Sequence, residues 1–228
     1  MLTCTNRASR RSCGLSLVEL MVGLVIGLIV TLGATSLVAL VQTGSWRLLI
    51  ETRLNQDMRA ATDVVARDLR RSGYWGNAIS GSQALGSSGV AAQNPYIAVR
   101  GSSSAGLSYG FSRDAVENNL LDDVEQFGFR LSSGVLQMQT ASGVWQDLTD
   151  DKSLRATAFN ITPSETTLAL GHLCSSVCAA GTPNCPTTKV RSYAIALTAQ
   201  AVRDAAVVRT MNLAVRVRSD QQQGRCPA

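Results

Sequence analysis

"CGLSLVELMVGLVIGLIVTLG", residues 13–33, is an almost unbroken apolar run that contains one acid, Glu19. The run extends from Leu15 to Val41, 27 residues in which Glu19 is the only charge. About 20 apolar residues suffice to span a bilayer, so this is a helix of transmembrane length. Arg7, Arg10 and Arg11 precede it with no acid to balance them, which places the N-terminus in the cytoplasm. A secretory signal peptide carries its small-residue cleavage site after the apolar region, whereas Gly14 comes before it. Cys13 makes a poor lipoprotein site, because no apolar stretch leads up to it. Glu19 is the puzzle, since a charged side chain at the middle of a membrane helix costs roughly 2.5–3.5 kcal/mol. Two readings stay open on the residues alone. Glu19 snorkels toward the cytoplasmic interface of a plain signal anchor, or it has a task inside the membrane.

The helical pattern continues beyond the apolar run. No proline occurs from Gln42 to Ser72, and Ile50, Leu54, Met58, Ala61, Val65 and Leu69 recur at steps of four or three. Those steps mark one apolar stripe of helical period. Glu51, Arg53, Asp57, Arg59, Asp63, Arg67 and Arg70 lie between its members as a solvated face of mixed charge. Gly73, following Arg70 and Arg71, is a stop signal. The first half of the helix is thus apolar all round and the second half amphipathic, with its stripe available to hold a globular domain. Gly33 and Gly44 are the positions where a bend would fall.

Beyond the helix, "SGYWGNAISGSQALGSSGVAAQNP" is rich in Gly, Ser and Ala and reads as a long irregular connection. From about residue 95 the period becomes strand-like. "VEQFGFRLSSGVLQMQ" holds two alternating runs joined at Ser132-Ser133-Gly134, a hairpin pattern. "GVWQDL" and "LRATAFNI" add strands. Tyr193, Ile195, Leu197 and Ala199 alternate with smaller or polar residues, as do Met211, Leu213, Val215 and Val217, with "AVRDAAV" as their turn. An antiparallel sheet with one face on the amphipathic helix follows, an α+β fold.

Charge and motif content narrow the function. Of 21 Lys and Arg against 16 Asp and Glu, three arginines belong to the segment before the apolar run, so the rest of the chain is close to neutral. No basic cluster with interleaved aromatics occurs there, and a nucleic-acid partner is not expected. His172 is the only histidine, and no nucleophile motif, Walker loop or dinucleotide fingerprint is present. Asp122-Asp123 and Asp150-Asp151 have the oxygen chemistry of calcium ligands, but neither pair belongs to a recognisable loop. No enzyme activity and no cofactor are expected.

The order of the N-terminal residues adds a resemblance. A short basic leader, Gly14, then "LSLVELMVGLVIGLIV" with Glu19 as fifth residue after the glycine, resembles the prepilin cleavage and methylation signature of type IV pilins and type II secretion pseudopilins. The resemblance implies that residues 1–14 are a leader removed by a prepilin peptidase, and that the mature chain begins at Leu15. Residues 15–44 would form the transmembrane and filament-core helix, and residues 45–228 a periplasmic domain of pilin fold. Leu15 departs from the usual phenylalanine, which puts N-methylation in doubt. In a filament the apolar helices pack together, and Glu19 would face the N-terminal amine of a neighbouring subunit. Leaving one member of such a buried pair alone costs about 3–5 kcal/mol, so Glu19 would act as a register device. Gly23 and Gly27 have the small-xxx-small spacing that lets helix backbones approach. "ARDLRRSGYWGNA", residues 66–78, looks like the end of the long helix in minor pilins of the PilW type, whereas pseudopilins of the PulJ class usually lack the Gly-Tyr continuation. Implied partners are the inner membrane, the assembly platform and other minor and major pilins, in an inner-membrane protein that later reaches the pilus. An uncleaved, membrane-anchored periplasmic binding module is the third alternative.

Cys4 and Cys13 would leave with the leader, and Cys174, Cys178, Cys185 and Cys226 would remain on the periplasmic side. "HLCSSVCAAGTPNC" reads either as a zinc site of His172 and three cysteines or as part of a disulfide framework. The spacings lack paired CxxC units and zinc would strand Cys226, while an oxidising compartment favours disulfides. Three connectivities are open. Cys174–Cys226 with Cys178–Cys185 would tie the C-terminal tail to the loop.

Overall fold

The computed structural model describes residues 16–82, 92–100, 106–176, 178 and 184–227. The chain divides into two compact units, residues 1–49 and 50–228. Helix α1, Leu17–Leu69, belongs to both and runs unbroken through Gly33 and Gly44. It is the one helix long and apolar enough to cross a membrane among the described residues.

In the second unit the apolar stripe of α1 is the helix contribution to the core. Leu54, Met58, Ala61, Val65 and Leu69 are buried and Ile50 is half-buried. The helix ends at Leu69, and Gly73 takes φ +71°, a left-handed conformation that costs glycine little. Its N–H donates to Gly110 O at 2.8 Å. A single helical turn, α2 (Ala78–Gly81), follows.

Eight strands build two antiparallel sheets. The first has the order β1 (Leu107–Gly110), β2 (Gln126–Ser132), β3 (Val135–Ala141), β4 (Val144–Asp147). Ser133 (φ 53°) and Gly134 (φ 86°) turn the β2–β3 hairpin, the two positive φ values of the type I′ turn that matches strand twist. Tyr109, Phe111, Phe127 and Phe129 form its buried aromatic layer, with Phe111 and Phe127 stacked at 3.9 Å. The second sheet has the order β5 (Leu154–Ala169), β6 (Thr187–Ala201), β7 (Val208–Arg216), with β8 (Gln221–Gln223) also paired to β6. Its buried face carries Phe159, Ile161, Tyr193, Ile195, Leu197, Ala199 and Val215. The β2–β3 turn meets the start of β5, where Ala156 N–H donates to Gly134 O at 2.8 Å.

The fold is therefore α+β, a long N-terminal helix with antiparallel sheets, consistent with the pilin fold. The strand runs read from the sequence all form strands, and β5 extends eight residues past Ile161. The single sheet of the sequence reading is replaced by two, and β1 and β8 are additional. Each is short and paired far along the chain, so neither leaves a periodic trace.

Candidate functional site

Glu19 lies in the first turn of α1 and is exposed. Gly14 and Leu15 lie outside the described residues. An acid in the first turn suits the positive end of the helix dipole. The hydroxyls farther along follow a different rule. Thr31 Oγ1 donates to Gly27 O at 2.9 Å, Thr35 Oγ1 to Thr31 O at 3.0 Å and Ser45 Oγ to Val41 O at 2.9 Å. These back-bonds satisfy polar groups within the helix, as a hydrocarbon environment requires. Glu19 has no hydrogen-bond or ion-pair partner among the described residues. An ideal Cβ on Gly23 or Gly27 would meet nothing within 4 Å, so this face is open to another helix.

The end of α1 is fixed by polar contacts that the sequence did not announce. Asp68, buried, accepts from Tyr109 OH of β1 and pairs with Arg71 at 3.5 Å. Burial, then the Asp68 charge, pushes the Tyr109 hydroxyl well above its ordinary range. Arg71 in turn lies 4.2 Å over the Phe111 ring. On the second sheet, Ser72 Oγ meets Tyr193 OH at 3.2 Å, and Glu51 pairs with Arg209 at 2.8 Å. Arg191 is buried, and its guanidinium donates to Ile97 O at 3.0 Å and Ser219 O at 3.2 Å. It thereby clips the connection after α2 to the C-terminal tail. Burial lowers its pKa, and its Nε has no partner among the described residues.

Near its end the "ARDLRRSGYWGNA" segment meets, through Gly76, a carboxylate that gathers several loops. Glu117 accepts from Gly76 N–H at 3.0 Å, Ser112 Oγ at 2.6 Å, Asn119 N–H at 2.9 Å and Tyr96 OH at 2.8 Å. Burial alone would raise Glu117, but the hydrogen bonds outweigh it and hold the carboxyl below its usual range. Nearby, Asp114, Asp122 and Glu125 place carboxylate oxygens within 4.8 Å of one another, a group of the hard-oxygen type that could hold a cation. Of the acids considered as calcium ligands from sequence, Asp122 joins this group, and Asp123, Asp150 and Asp151 do not.

Cys174, Cys178, Cys185 and Cys226 form two disulfides, Cys174–Cys226 and Cys178–Cys185, with Cα separations of 5.5 and 5.9 Å. Both sit where the β5–β6 hairpin turns. From Thr162 to Ala169, β5 is exposed on both faces. The tail packs onto the hairpin through β8, through Arg225 N–H donating to Asn184 O at 2.9 Å, and through Cys226. His172 is exposed at the loop, and the cysteines considered with it as zinc ligands are bonded to one another.

Comparison with known proteins agrees with this anatomy. Residues 9–35 match the prokaryotic N-terminal methylation motif, which with the long helix and α+β unit defines a pilin-like protein of the type IV prepilin class. Residues 47–217 match the family of prepilin peptidase-dependent protein B. The match covers most of the chain, and the chain belongs to that family. It is a family of pilin-like structural proteins, which implies dependence on the peptidase and an apolar helix consistent with inner-membrane anchoring. No curated protein and no solved structure matches the chain.

Proposed function

We propose that the protein is a minor pilin of the PilW type, a non-catalytic subunit that primes assembly of a type IV pilus or caps its tip. The reading is carried by one combination: Gly14, an apolar start at Leu15 and Glu19, ahead of a helix that is open on its apolar half and packed on its amphipathic half. In this reading the peptidase cuts after Gly14. The helix from Leu15 waits in the inner membrane with the second unit in the periplasm, and then enters the filament among other pilins. Glu19 meets the Leu15 amine of a neighbour there. The two disulfides suit an oxidising compartment. The Gly-Tyr continuation at Gly73-Tyr74 favours the pilus over a PulJ-class secretion pseudopilus.

The mass of the mature chain in a peptidase-competent cell tests the processing step. The expected N-terminus is Leu15, with or without a methyl group, and Gly14→Val blocks cleavage because only a minimal side chain suits that position. A chain that keeps Met1 sinks the pilin reading and leaves the anchored binding module. Loss of twitching or DNA uptake on deletion, with secretion intact, supports the pilus; the reverse supports the secretion machine.

A further inference from the structure

The formal charge of +5 hides a strong polarity inside the second unit. Residues 106–151, which build the first sheet, contain eight acids and two bases; residues 152–227, which build the second, contain nine bases and three acids. The two bases of the first sheet neutralise none of its acids. Arg113 lies 5.6 Å over the Phe127 ring, and Arg130 lies 4.0 Å over Trp145 with its Nε donating to Gln137. None of the eight acids is in an ion pair among the described residues. Five of them, Asp114, Glu117, Asp122, Asp123 and Glu125, fall in the connection from β1 to β2; Glu125 is buried, Asp114, Glu117 and Asp122 are half-buried and Asp123 is exposed, and they accept hydrogen bonds from neutral donors.

The second sheet has the opposite excess. Glu165 is taken by Lys189 at 2.8 Å and Asp220 by Arg216 at 2.7 Å. Where the end of β7 meets the end of α1, Arg70, Arg216 and Arg218 line one shallow hollow with Ala214 and Val217. Arg218 N–H donates to Arg70 O at 3.1 Å, which keeps the two arginines adjacent. Arg70 and Arg218 are in no ion pair among the described residues.

We infer that the second unit docks a second copy of the chain, with the acidic β1–β2 connection of one copy against the Arg70, Arg216 and Arg218 hollow of the other. Charge complementarity selects the occupant. Each sheet carries the charge that the other lacks, yet among the described residues no ion pair joins them within one chain. Concentrating one sign in a patch raises self-repulsion, and a surface of the opposite sign relieves it while fixing orientation. The inference goes beyond the pilin reading and does not depend on leader cleavage.

Two differently tagged full-length copies, co-expressed and extracted in detergent, provide the test. Self-association is expected at low salt and weaker at about 0.5 M, where the Debye length falls to a few Å. Asp114→Lys with Asp123→Lys, or Arg216→Glu with Arg218→Glu, carried by both copies, lowers co-purification roughly tenfold, equivalent to about 1.4 kcal/mol. Pairing one acid-reversed copy with one base-reversed copy restores it. Circular dichroism checks that each variant folds, and Asp123→Asn with Arg218→Gln replaces any that does not, read by the same loss. The inference is overturned if unaltered copies do not associate, if neither reversal weakens association, if the mixed pair is not rescued, or if the patches instead capture a different protein.

Discussion

Glu19 is the residue on which assembly depends in the proposed reading. Glu19→Ala removes a costly charge from the membrane, so the precursor inserts at least as well and is still cut after Gly14. Incorporation is what fails, because the amine of an adjacent subunit then has no carboxylate to meet, and leaving one member of a buried pair alone costs about 3–5 kcal/mol. Glu19→Gln keeps the shape and some hydrogen bonding, and the loss is smaller. The measurement is the amount of protein in sheared filaments relative to the membrane. Equal ratios for the parent and both variants would reduce Glu19 to an incidental snorkelling acid.

At the scale of elements, the long β5–β6 hairpin and the tail that crosses it form a stapled arm. Cys174–Cys226 spans 52 residues and holds the tail; Cys178–Cys185 spans 7 and closes only a local loop. Loop-closure entropy grows with the logarithm of loop length, so the longer staple contributes more. Cys174→Ser with Cys226→Ser lowers unfolding stability by about 2–5 kcal/mol, and Cys178→Ser with Cys185→Ser lowers it by less. Urea denaturation of the oxidised protein reads both. Equal losses would mean that the tail is held without its disulfide, by β8 and by the Arg191 clip to Ser219. Stoichiometric zinc in the purified protein would contradict the paired cysteines altogether.

For the whole molecule, the second unit has its own core from Leu54 on α1 to Val217 after β7. A fragment of residues 45–228 therefore folds without the apolar half of the helix and unfolds cooperatively on heating. Met58 is fully buried in that core, and Met58→Ala costs about 2–5 kcal/mol through lost burial and the cavity left behind. Thermal melts followed by circular dichroism measure both. A fragment without a cooperative transition would show that the second unit needs the membrane half of α1 to fold.

The sequence by itself determined the membrane-length helix, its amphipathic continuation and six of the eight strands. Each of those signals is local: an uninterrupted apolar run, a stripe at steps of three and four, an alternation of two. The signature at Gly14, Leu15 and Glu19 was likewise legible as spacing along the chain. Tertiary structure decided what depends on distant pairing. It split the strands between two sheets, set β8 beside β6, and joined Asp68 to Tyr109 and Arg191 to Ile97 and Ser219. It also brought the carboxylates of Asp114, Asp122 and Glu125 within reach of one another, and set Arg70, just after α1, beside Arg216 and Arg218. Hydrogen bonds and charges of that kind have no period to betray them, because their partners are chosen by the packing of the core and not by their neighbours in sequence.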